Sequence, residues 1–110
     1  MTPITGRRRA TAQELELPGD FCFWHISEDG QSAFMAFVCP CGTGNHGQRN
    51  GKKIGYDSIP VRQGDKVDDY WKWDGNLDAP TLWPSIQRME GCHWHGFLTR
   101  GVWQLDRGDV

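Results

Sequence analysis

The sequence predicts a mainly β domain, with a small α+β arrangement as its nearest variant, and three observations carry that expectation. Bulky β-prone runs, "FCFWHI" at 21–26 and "AFMAFV" at 33–38, are short and bounded by turn residues. Fourteen glycines and six prolines punctuate only 110 residues, which predicts a loop-rich chain with one compact core. No window of a dozen residues places apolar side chains at helical spacing.

The elements follow in order. Residues 1–18, containing "MTPITGRRRATAQE", show no hydrophobic period, so a flexible N-terminal arm is expected, with the folded domain spanning 19–110. The Arg7-Arg8-Arg9 cluster reads as part of that solvated arm. Asp29-Gly30 tolerates the positive φ of a tight turn and predicts a β-hairpin joining the first two runs. The second strand leads directly into "CPCG", and "GTGNHGQRNGKK" then reads as a loop. "IGYDSIPV" (54–61) predicts a strand whose Pro60 belongs at an edge or an end. Tyr70, Trp71 and Trp73 predict another strand, closed by a turn at Asp74-Gly75-Asn76. "GFLTRGVWQL" (96–105) reads as two strands around Arg100-Gly101. A short helix fits 11–16 or 85–90.

Composition excludes several functions. The net charge of −2 gives no general basis for nucleic-acid or membrane-surface binding. No run is apolar enough for a membrane span or a signal peptide. The expected compartment is therefore cytoplasmic. The apolar fraction is 37%, but six tryptophans supply large rings for a small core. Trp71, Trp73, Trp83, Trp94 and Trp103 could instead stack on bases or sugars, but a core role is expected.

Four cysteines occur, at 22, 39, 41 and 92. Close spacing in a chain without a signal peptide points to metal ligation rather than disulfides. Cys39-Pro-Cys41-Gly42 supplies one pair of donors at a strand end, and Cys92-His93-Trp94-His95 supplies a second with a two-residue spacer. Three thiolates and one imidazole suit Zn²⁺, whose binding would help fold a chain with a modest core. His95, His93 and His46 are the candidates for the fourth ligand. Cys22 alternates into a strand and reads as a buried side chain, and His25 as a packing residue.

Ser85 raises a separate question. A serine becomes a nucleophile only with a base in hydrogen-bond reach, and His95, held near the Cys92 anchor, is the candidate. The plainer alternative is a turn serine capping a helix from Ile86. A zinc-bound water with Glu90 or Asp74 as base is a third option.

Three quoted stretches, "CPCG", "WKWDGNLDAPTLWPSI" and "GCHWHGFLTRGVW", resemble a family of small proteins of tailed phages and bacteria over roughly residues 34–104. Its phage members often carry an ammonia monooxygenase label, which cysteine ligation and the lack of membrane spans argue against. Relatives sit in bacterial operons for ubiquitin-like conjugation and are regarded as peptidases with a bound zinc and a serine–histidine pair. The resemblance implies Cys39, Cys41 and Cys92 as zinc ligands, Ser85 as nucleophile and His95 as base. Where many relatives have a further cysteine, this chain has Thr43, so His46 or His95 must complete the site, or the metal keeps an open position. Two functions are thus expected. One is a zinc-stabilised peptidase or esterase acting on a peptide tail, such as that of a ubiquitin-like protein, in the host cytoplasm if phage-encoded. The other is a non-catalytic zinc knuckle that binds a protein partner.

Overall fold

The computed structural model describes residues 3–40, 48–49, 52–53, 56–64, 69–87 and 95–106. Eleven strands run through these residues: β1 (Ile4–Thr5), β2 (Phe21–Trp24), β3 (Ser32–Phe37), β4 (Gln48–Arg49), β5 (Lys52–Lys53), β6 (Asp57–Arg62), β7 (Trp71–Trp73), β8 (Leu82–Trp83), β9 (Ile86–Gln87), β10 (His95–Thr99) and β11 (Val102–Asp106). They form a four-stranded sheet in the order β1-β11-β10-β9 and a five-stranded sheet in the order β2-β3-β6-β7-β8, with β4-β5 as a separate ribbon. All pairings are antiparallel except β6 with β7. The mainly β class expected from the sequence is the class observed.

The β2–β3 hairpin forms where the Asp29-Gly30 signal stands, although its loop is longer than a two-residue turn. Gly30 takes φ +73°, and its N–H donates to the Ser27 carbonyl at 2.9 Å. Asp29 accepts from the Ser27 hydroxyl at 2.7 Å and from the Gln31 amide at 3.0 Å, closing the loop as an Asx turn. The Ser27 hydroxyl hydrogen bond holds the Asp29 carboxyl below its ordinary range.

Pro60 lies in β6, which is an interior strand. It pairs only with Phe34 of β3, because the β7 ladder starts one residue later at Val61. The ring thus sits where β6 has a partner on one side, so the rule restricting proline to unpaired strand flanks holds locally. The two helix candidates resolve differently. Residues Ala12–Glu14 form one 3₁₀ turn, with Glu14 accepting from the Ala10 and Thr11 amides. Ser85 caps no helix, since Ile86–Gln87 is strand β9 paired with Gly96 and His95.

Between the two large sheets lie Phe21, Met35, Phe37, Val61, Trp73, Leu82, Ile86, Leu98 and Trp103, each buried. Trp103 is the centrepiece: its ring packs on Phe37 with centroids 5.0 Å apart, and its indole N–H donates to the Gly19 carbonyl at 3.0 Å. Gly19 has φ +86°, and a Cβ there would meet the Trp103 ring at 2.9 Å, so only glycine fits.

The segment before Gly19, expected as an arm, is tied to this core at several points. β1 extends the four-stranded sheet, Arg8 bridges to Phe21, and the Gly6 amide donates to the Gly101 carbonyl at 2.8 Å. Arg7 grips Asp20 with two parallel hydrogen bonds, Nε to Oδ1 at 2.9 Å and a terminal nitrogen to Oδ2 at 2.8 Å. Such a fork matches guanidinium and carboxylate geometry. Asp20 is 1% exposed and also accepts from the Glu16 and Leu17 amides. Burial pushes its carboxyl up, but the Arg7 and backbone hydrogen bonds outweigh that and leave it below the ordinary carboxylate range. Arg8 reaches Asp78 at 2.8 Å. The arginine cluster, expected to be solvated, therefore has two of its members in ion pairs.

Candidate active site

The site is built from a polar loop that grips a turn. From Trp73 to Thr81 the chain "WDGNLDAPT" has side-chain acceptors where its amides need partners. Asp74 Oδ1 accepts from the Asn76 amide at 3.0 Å and the Thr81 amide at 3.2 Å. Asn76 Oδ1 accepts from Asp78 and Ala79 at 2.9 and 2.8 Å. The Trp73 indole closes the loop from the core side by donating to the Asn76 carbonyl at 3.1 Å. Asp and Asn side chains commonly substitute for backbone acceptors in this way.

The turn that this loop grips joins β10 to β11. Arg100 and Gly101 have φ of +49° and +78°, which the Arg-Gly pair accepts at its second position without cost. The Gly101 amide donates to the Pro80 carbonyl at 2.8 Å, and the Arg100 amide to the Thr81 hydroxyl at 2.9 Å. From Thr81 the chain runs through β8 and the cis Trp83–Pro84 bond to Ser85. There the Trp71 indole N–H points to the Ser85 carbonyl at 3.4 Å.

His95 opens β10. Strand alternation buries Gly96 and Leu98 and turns His95, Phe97 and Thr99 to the other face. The result is one short contact: His95 Nε2 lies 2.6 Å from Ser85 Oγ. Both residues are half-buried, so the pair meets solvent. The Phe97 ring meets the imidazole edge-on, with centroids 5.6 Å apart. Across β11, the position opposite His95 is Asp106.

Of the predicted site residues, Ser85 and His95 come together. Cys39 lies two residues past β3 and is buried, at 4% exposure. Cys41, His46 and Cys92 lie outside the described residues, as do His93, Glu90 and Trp94. Among the described residues no three His, Cys, Asp or Glu side chains gather in one group. Asp74, one candidate base, instead spends Oδ1 on loop amides. Cys22 is buried as expected, and burial pushes its thiol up. His25 is exposed at φ +51° and lies against the Trp24 ring.

The tryptophan expectation needs one correction. Trp73 and Trp103 are core, but Trp83 is 45% exposed because β8 alternates and Leu82 takes the inward place. Sequence reasoning also passed over Phe97, for which the spacing His95-x-Phe97 on a strand was the available signal.

A half-exposed serine in hydrogen-bond reach of a histidine is one arrangement that serine hydrolases use, in which an imidazole takes the hydroxyl proton as the oxygen attacks. A family profile described as bacterial ubiquitination-like system serine protease (BubE) matches residues 7–105, and the chain belongs to that family. Searches of curated proteins and of solved structures returned no match.

Proposed function

We propose that the chain is a serine-type peptidase of a bacterial ubiquitin-like system, with Ser85 as nucleophile and His95 as its base. Ser85 Oγ attacks the carbonyl carbon of a peptide or ester bond in the tail of a ubiquitin-like protein, and its proton passes to His95 Nε2. Collapse of the tetrahedral intermediate breaks the bond to the leaving group, which takes that proton. Water, deprotonated by the same imidazole, then releases the acyl group from Ser85 and restores the hydroxyl. The observation that carries this reading is the 2.6 Å Ser85–His95 contact at the surface, and the family membership supports it.

A structural zinc is part of the same proposal, held by Cys39, Cys41, Cys92 and His46. Three thiolates and an imidazole form a closed Zn²⁺ set, and Cys39 is buried as a structural ligand would be. His95 could take the place of His46, but its engagement with Ser85 favours leaving it out of the ligand set. The ion would supply folding energy and no catalytic step.

The test is cleavage of a ubiquitin-like protein carrying a C-terminal extension, read by intact-mass spectrometry, together with labelling by a fluorophosphonate. Cleavage and labelling that both vanish in Ser85→Ala are expected. Equal cleavage by wild type and Ser85→Ala overturns the mechanism. Stoichiometric partner binding with neither cleavage nor labelling would instead establish the non-catalytic binding module.

A further inference from the structure

Two hydrogen bonds tie residues 81–85 alongside residues 95–100, running in opposite directions. At one end the Arg100 amide donates to the Thr81 hydroxyl at 2.9 Å; at the other, Ser85 Oγ meets His95 Nε2 at 2.6 Å. Midway between these anchors stand Trp83 and Phe97. The two buried neighbours, Leu82 and Leu98, turn into the core, and strand alternation sends the two aromatic rings outward. Trp83 is 45% exposed and Phe97 46%. Single exposed apolar residues are ordinary on protein surfaces, but Trp83 precedes Ser85 by two residues and Phe97 abuts the His95 ring, so both flank the serine–histidine contact. Both rings are held. Lys72 Nζ lies 5.4 Å from the centre of the Trp83 ring, and Phe97 abuts the His95 imidazole.

We propose that Trp83 and Phe97 form the specificity subsite of this enzyme, taking one large apolar side chain of an extended peptide next to the bond that Ser85 attacks. The inference rests on the Ser85–His95 reading and adds the class of residue selected. An extended substrate with its carbonyl at Ser85 must carry adjacent side chains over whatever borders the dyad. Here the border is aromatic, and Lys72 lies over the indole face. Leucine, methionine or phenylalanine suits such a floor, whereas glycine leaves both rings wet.

The test uses p-nitrophenyl esters of N-acetylglycine, N-acetyl-leucine and N-acetylphenylalanine with the full chain. We expect kcat/KM for the leucine and phenylalanine esters to exceed that for the glycine ester by about 30-fold, the range available to a hydrophobic pocket. Trp83→Ser and Phe97→Ser should each cut that ratio about fivefold, and Phe97→Leu should restore most of it. Equal use of the three esters by a wild type whose turnover depends on Ser85 overturns the subsite and leaves the dyad standing. Unchanged ratios in both serine variants do the same. Absence of Ser85-dependent turnover and of fluorophosphonate labelling removes the dyad and the subsite together. If the aromatic pair serves a second copy of the chain, sedimentation will show a dimer that both serine variants dissolve while the ester ratio holds, which also overturns the proposal.

Discussion

The molecule contains two polar clusters of opposite design. Around Asp20 the acceptors are saturated: one carboxylate takes two hydrogen bonds from Arg7 and two from backbone amides, at 1% exposure. Around Ser85 a hydroxyl and an imidazole share one short contact, half in solvent. The first cluster has no vacancy for a substrate and closes the N-terminal strap over Gly19 and Trp103. The second meets solvent. Saturation and burial serve stability, whereas exposure leaves a polar group accessible to a ligand. Buried charge thus marks the structural cluster, not the candidate site.

Exchanging the properties of the two clusters tests that contrast. The largest effect should come from Ser85→Ala, which we expect to lower turnover about 10⁴-fold while changing stability by less than about 1 kcal/mol, checked by ester kinetics and urea unfolding. Loss of several kcal/mol would show that the serine belongs to the structural class instead. Gly19→Ala should do the reverse. Its φ of +86° and the Trp103 ring at 2.9 Å predict a loss of about 3 kcal/mol, with the remaining folded fraction still labelled at Ser85 by a fluorophosphonate.

Asp20→Asn should cost about 2 kcal/mol, because it replaces charge-assisted bonds by neutral ones. The sign of its pH dependence follows from the lowered carboxyl of the folded state. The unfolded chain binds this proton first on acidification, near pH 4. The contribution of Asp20 is therefore full above that pH and is lost as pH falls through the folded value. Wild type minus Asp20→Asn, followed by urea unfolding from pH 6 to 2.5, should shrink in that direction; a constant difference would contradict the linkage. The smallest change is expected for Asp29→Ala on the exposed hairpin loop, a shift of about one or two degrees in Tm by calorimetry.

Ser85 and His95 were singled out by the resemblance over residues 34–104, whereas the residues alone fitted a turn serine equally; the contact between them is what the fold adds. The hairpin was legible from Asp29-Gly30, since the turn requirement is local. Trp83 was misjudged as core because tryptophan composition carries no direction; only the alternation of β8 against Leu82 turns it outward. The contacts of the N-terminal segment were not visible for a similar reason. Arg7 and Arg8 look like a solvated run until Asp20 and Asp78 are seen opposite them, 13 and 70 residues away.

What the sequence by itself determined is local: strands from bulky alternating runs, turns from residues that accept positive φ or cap their own amides, and the chemical types present in "PSI" and "CHWH". Tertiary structure alone decided which of those types meet. The Asp74–Thr81 loop clamps the Arg100–Gly101 turn and so sets residues 81–85 against 95–100, placing a hydroxyl on an imidazole with the Phe97 ring against it. Backbone preference acts over a few residues, but such a meeting depends on the register between strands distant in sequence, which the whole core selects.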